Sequence, residues 1–315
     1  GREQVFFGGN YLFQNNASLG TVSSPILIEP DGYVQTIDLN QGWTWLSLNV
    51  EDTDMSLSHV LQNLTPADGD LIKGQTGFCQ YHSGAGWQGN LQDVTVEGGY
   101  RLFSATDQTL RFTGLPVDVF NTPIPIDTGW NWIGFLPRQI MDIDDALEFY
   151  AATAGDRIKS QSEFAEFLAS SGSWEGSLKK LLPGQGYLLH SHAGGSMKYP
   201  ELGKPGGRNS LERLSFPAKP EWAVDACGYE YSMSVTALFE FDEKAMTDTS
   251  LIIGAFAEGS CRGVARLQWL PDLERHLAFL LIYSNTADGD SISFRIYEPE
   301  SDKTRDVAEV TGFQS

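Results

Sequence analysis

Two stretches, GWTWLSLNV (residues 42–50) and GWNWIGFLP (residues 129–137), are near copies of one another. Gly42 and Gly129 stand 129 − 42 = 87 residues apart. Within each copy two tryptophans lie two positions apart, Trp43 with Trp45 and Trp130 with Trp132. On a strand each pair therefore shares one face. Other landmarks recur around them. GDLIKGQ from Gly69 is answered by GDRIKSQ from Gly155, an offset of 86. WQGNL from Trp87 is answered by WEGSL from Trp174, and Tyr100 by Tyr187, both at 87. Landmarks in fixed order at a near-constant offset point to internal duplication. The one-residue slips fall in polar or Gly/Ser-rich stretches, where loops accept insertions.

The pair defines a unit. A leading strand, VQTIDL or NTPIPI, comes before the GW-x-W strand. A short helix follows, with Leu57, Val60, Leu61 and Leu64 at helical spacing and Ile143, Ala146, Leu147 and Tyr150 in the same places. Asp54 or Ser56, and Asp142, are the candidate N-caps. Short hairpins complete an α+β module of about 85 residues, a length able to fold alone. After the second copy the composition changes. YSMSVTALFEF alternates Met233, Val235, Ala237 and Phe239 on one face, and HLAFLLIYSN and SISFRIYEP read as further strands. The expected class is α+β and all-β: two tandem modules followed by an antiparallel, Ig-like β-sandwich. The expected boundaries are a leading strand or remnant of an earlier repeat (1–32), modules at 33–118 and 119–202, a Gly/Pro-bearing linker (203–216), and the sandwich (217–315).

The series GWNWIGF, DRIKSQ, WEGSL and PGQGY resembles a repeat of large multidomain surface and secreted proteins of Bacteroidota, many exported by the type IX secretion route. YSMSVTALF, IIGAFAEGSCRGVA, LLIYSN and GDSISFRIYE resemble a β-sandwich module that often follows such repeats. The resemblance covers roughly residues 33–315. It implies an extracellular or cell-surface modular protein and supplies no catalytic residue. The chain opens GREQVFFGGN without a methionine and closes TGFQS without a sorting domain in view, which reads as a processed protein or a fragment.

Composition narrows the partners. Of 315 residues, 21 are Lys or Arg and 41 Asp or Glu, a formal charge of −20. Such a field repels nucleic acid and anionic lipid. No apolar run has the length of a membrane-spanning helix, so direct insertion is not expected. The expected partners are other domains of the same polypeptide, a cell-envelope protein or a surface glycan.

Catalytic signatures are missing from the sequence, and no enzyme is expected. Glu51, Asp52 and Asp54, and Asp142, Asp144 and Asp145, sit at helix starts, where the macrodipole favours negative charge. His190 and His192 share a strand face, but their counterparts are Phe103 and Ala105, so no metal site is expected there. Calcium is the one candidate ion, at the ADGD turns from Ala67 and Ala287, and neither has EF-hand spacing. Trp43, Trp45, Trp130 and Trp132 are expected in the core, since a small module needs their apolar mass. Trp87 and Trp174 follow Gly/Ser turns and are the ligand-contact candidates, with glycan stacking as the alternative function. Lys73, Lys159 and Arg262 are expected to be structural clamps. Of three cysteines, Cys227 and Cys261 are the candidate disulfide pair; buried free thiols are the other reading.

Overall fold

The computed structural model describes residues 32–200, 222–241 and 244–315, together with the backbone of a two-strand pair, β1 (Phe7–Gly8) and β2 (Tyr11–Leu12). The expectations for the rest of 1–32 and for the linker 203–216 lie outside the described residues. Antiparallel strands dominate, and each of the two α-helices is a single turn.

Residues 33–118 carry β3 (Tyr33–Leu39), β4 (Gly42–Leu46), β5 (Val50–Glu51), α1 (Leu57–Val60), β6 (Leu71–Lys73), β7 (Phe78–His82), β8 (Gly86–Gly89), β9 (Tyr100–Ser104) and β10 (Gln108–Pro116). Residues 119–202 carry β11 (Ile124–Ile126), β12 (Gly129–Gly134), β13 (Met141–Asp142), α2 (Ile143–Ala146), β14 (Arg157–Lys159), β15 (Phe164–Leu168), β16 (Ser173–Gly176), β17 (Lys180–Leu181), β18 (Gly186–Ser191) and β19 (Gly195–Met197). Each segment holds a five-stranded sheet, in the order β4-β9-β6-β7-β8 and β12-β18-β14-β15-β16. The registers agree pair by pair. Trp43 faces Phe103 where Trp130 faces His190, and Ile37 faces Leu110 where Ile124 faces Met197, every position displaced by 87.

Local chemistry explains the repeated landmarks. In W-x-G, the glycines Gly89 and Gly176 have φ of 155° and 156°, and a Cβ would lie 2.1 and 2.2 Å from the carbonyl oxygens of Phe78 and Phe164. The aspartates of the GD pairs clamp backbone. Asp70 accepts from the Ala67 and Ala105 amides, and Asp156 from those of Thr153 and His192. Tyr100 and Tyr187 accept from the Thr95 and Leu182 amides through their hydroxyls, both at 2.7 Å. The helices are shorter than their spacing suggests. Ser56 caps α1, accepting from the His59 amide, while Asp54 binds the Ser56 amide one turn earlier. Asp142 occupies the cap of α2 without a side-chain bond.

Two expectations change. One continuous cluster of buried residues runs from Ile37 to Tyr199, so the two segments share a core. Leu46, Leu48, Ile133 and Phe135 belong to that cluster, but Trp43, Trp45, Trp130 and Trp132 do not. Alternation puts the indoles on the opposite strand face. The spacing fixed a shared face without saying which face meets the core.

The C-terminal segment holds β20 (Tyr231–Ala237), β21 (Glu240–Phe241), β22 (Lys244–Ala245), β23 (Ile252–Ala257), β24 (Ser260–Leu270), β25 (Arg275–Ser284), β26 (Asp288–Glu298) and β27 (Lys303–Gln314). Six of them order as β20-β25-β24-β23-β26-β27. β24 pairs with β23 through Ser260–Arg266 and with β25 through Leu267–Leu270. The two outer strands come back together, where the Gln314 amide donates to Met233 Sδ at 3.3 Å. A separate apolar cluster, including Ile253, Leu280, Ile292 and Phe313, fills this unit.

Gly89→Ala and Gly176→Ala should each cost about 3 kcal/mol, because the added methyl meets a fixed carbonyl. Urea unfolding of the two variants checks the value, and a cost under about 0.5 kcal/mol for both would contradict the close approach.

Candidate functional site

β4 and β12 are edge strands, so their outward backbone groups need partners from elsewhere. Each segment supplies them to the other. Gln161 accepts from the Trp45 amide at 3.1 Å and donates to the Trp43 carbonyl at 2.7 Å. Gln75 accepts from the Trp132 amide at 2.8 Å and donates to the Trp130 carbonyl at 3.3 Å. These are the glutamines of IKGQ and IKSQ. One residue pair further on, the Ser47 amide donates to the Gly184 carbonyl, and the Gly134 amide to that of Glu97.

The outer faces of both edge strands then form one surface. The Arg101 guanidinium carbon lies 4.1 Å from the Trp45 ring centroid and 4.4 Å from that of Trp132. Lys73 Nζ lies 5.3 Å from the Trp43 ring, and Lys159 Nζ 4.5 Å from the Trp130 ring. Each such contact is worth about 0.5–2 kcal/mol. Three cations and four indoles are thus gathered in a chain of net charge −20.

The C-terminal unit closes this surface. Glu230 forms an ion pair with Lys73, and its carbonyl accepts from Arg101 Nη1 at 2.9 Å. The Ser232 carbonyl accepts from Lys159 Nζ at 2.7 Å. A Cβ on Gly42 would lie 2.3 Å from the Cys227 carbonyl oxygen, so the 226–228 turn packs directly on β4. Tyr283 donates its hydroxyl to the Gln161 carbonyl. Beside them Phe164 is buried among Leu270, Phe279, Leu281 and Tyr283. Burial pulls the Arg101 guanidinium down to about 10, against the opposing charge of Glu230. Burial, with the charges of Arg101 and Arg157, pulls Lys159 down to about 7.

The residues singled out in the sequence divide as follows. Trp43 and Trp45 are each 6% exposed, but beneath cations and the C-terminal unit instead of in the apolar core. Trp130 and Trp132 are half-buried on the same surface. Trp174, expected exposed, is only 4% exposed and belongs to the core, against Phe167 and Tyr150. Trp87 is half-buried and meets Tyr81 edge-on at 5.5 Å. Lys73 and Lys159 reach the C-terminal unit. Arg262 stacks over Tyr229 at 5.1 Å, and its Nε is buried without a hydrogen-bond partner among the described residues. A stacking contact stands where a hydrogen-bonded clamp was expected. The Cys227–Cys261 pairing is not formed; all three cysteines are free thiols. Cys227 Sγ instead accepts weak bonds from Asn40 and Gln161.

Sequence reading missed Arg101, because it recurs in no second copy: Leu188 stands at its place in β18. It also missed Glu230 and Ser232, which touch the site only through tertiary packing. Two clefts open elsewhere. One of about 670 Å³ lies between β20 and β27 and is largely apolar, with Val235, Phe239, Phe241 and Phe294 in its lining. One of about 620 Å³ borders His59, whose Nε2 lies 3.1 Å from Asp52 Oδ2. No group of three or more metal-ligating side chains converges among the described residues. No protein-family model, curated protein or solved structure matches the chain.

The buried Lys159 fixes a pH dependence. Its folded pKa lies below the ordinary 10.5, so from about pH 7 to 10.5 the unfolded chain binds more protons and stability rises with pH. Relative to Lys159→Met, the wild-type protein should gain a few kcal/mol, on the order of 1.4 per pKa unit, across that window. Paired denaturant titrations at pH 7 and 10 measure it, and a flat or falling difference would contradict the burial.

Proposed function

We propose that the chain is a non-enzymatic, extracellular modular segment of a surface or secreted protein, serving as spacer, adhesion or partner-docking region. Its residues 33–118 and 119–202 are two copies of one module. The described residues of the expected sandwich, 217–315, fold one six-stranded sheet about β24. One observation carries the reading. The tryptophan and cation surface, the chemically richest in the described residues, is covered by Glu230, Ser232 and the 226–228 turn of the same chain. Aromatic groups spent on holding units together make a rigid arm, and the arm presents its other faces to partners. The reading assigns no cofactor. A calcium titration that raised the Tm would add one.

Carbohydrate binding is the second reading, and Trp87 favours it. It stands half-buried beside Tyr81 on a hairpin whose turn, residues 83–85, is exposed. Aromatic pairs of this kind stack on sugar rings. A broad glycan array decides between the two: binding lost in Trp87→Ala would establish the second reading, and no binding would leave the first.

Docking and location are tested separately. With a protease site inserted in 203–216, the cleaved wild-type halves should co-elute on gel filtration. Arg101→Ala combined with Glu230→Ala should weaken that association by at least about tenfold, since charged hydrogen bonds contribute about 1.5–3 kcal/mol each. Wild-type halves that separate at micromolar concentration would refute the rigid arm. Protease shaving of intact source cells should release peptides of this chain, and full protection would refute the surface location.

A further inference from the structure

We propose that His190 and His192 form a two-histidine site for a borderline transition-metal ion, Zn(II), Cu(II) or Ni(II), at the C-terminal end of β18. His190 is the penultimate residue of β18, and His192 follows directly after the strand's last residue, Ser191. Their ring centroids lie 4.9 Å apart, with planes inclined at 72°. Imidazole suits these ions, and water completes the coordination sphere of a surface site with two protein ligands.

The orientation of His192 is set from behind. Its Nδ1 lies 2.8 Å from Asp156 Oδ1. Asp156 is fully buried. It accepts hydrogen bonds from the Thr153 and His192 amides and from the Tyr150 hydroxyl. An ionised carboxylate only accepts, so Nδ1 carries the proton and Nε2 keeps its lone pair. The side chain is 53% exposed, which leaves that lone pair open to solvent. A carboxylate behind an imidazole is the arrangement that orients metal-binding histidines and raises their basicity.

His190 completes the pair. It packs edge-on to Trp130 at 5.0 Å, and no described side chain hydrogen-bonds to its ring nitrogens. Arg157 stands opposite it on β14, and Glu166 engages that cation at 3.3 Å. The fold does not require either ring. At the matching positions Phe103 packs on Trp43 and Ala105 has no ring at all, while Asp70 still binds the Ala105 amide. The imidazoles are therefore additional to the structural work done at these positions.

Calorimetric titration of the full chain with ZnCl2 and with NiCl2 at pH 7.5 tests the site. A single saturable site should appear, lost by at least about tenfold in affinity in either His190→Ala or His192→Ala. His276→Ala should leave it unchanged, and affinity should fall between pH 7.5 and 5.5 as imidazoles protonate. Circular dichroism and Tm of each variant report the fold. His190→Gln and His192→Gln serve where an alanine variant does not fold. Affinity unchanged by both replacements, as for an ion held at a cysteine or at His59 and Asp52, would overturn the proposal. So would a wild-type titration no different from that of the double variant.

Discussion

The structure depends on an unsatisfied edge. β4 and β12 each end their sheet, and an edge strand carries a row of backbone donors and acceptors that burial makes expensive to leave unpaired. Neither segment closes its own edge. Gln161 closes β4 and Gln75 closes β12, with reciprocal amide bonds from Ser47 and Gly134 beside them. This exchange explains why the tryptophan strand is written twice. Each copy is the partner that the other one needs, and the shared core from Ile37 to Tyr199 follows from the same reciprocity.

Once the two edges are joined, their outer faces present four indoles side by side. Such a surface in water is an exposed apolar patch unless something covers it. Arg101 lies between Trp45 and Trp132, and the two repeated lysines lie over Trp43 and Trp130. The cations in turn need acceptors, and the C-terminal unit brings them as Glu230 and two backbone carbonyls. Lys159 shows the cost of this arrangement: its ammonium is buried with one described acceptor, and its affinity for the proton falls accordingly. Docking through fixed carbonyls favours geometry over strength.

The two copies also diverge where the shared scaffold permits it. Asp70 and Asp156 perform the same backbone clamp, but only Asp156 also holds an imidazole. Phe103 and His190 occupy one register position against equivalent tryptophans, one apolar and one able to ligate. Packing against the indole edge is satisfied by either ring.

The sequence by itself determined a β-rich chain with landmarks recurring at a near-constant offset. Spacing alone predicted that Trp43 and Trp45 share a face, while the close backbone approaches at Gly89 and Gly176 emerged only with the structure. The shared face is a local property, set by chain geometry. Only the tertiary structure decided which side of the strand faces the shared core, and it placed Trp174 in that core and the GW-x-W indoles apart from it, Trp43 and Trp45 buried and Trp130 and Trp132 half-buried. It also decided that Arg101, Glu230 and Ser232 meet. The Arg101–Glu230 and Lys159–Ser232 contacts join positions 129 and 73 residues apart, and a period read along the chain carries no information about which distant segment will cover a given face.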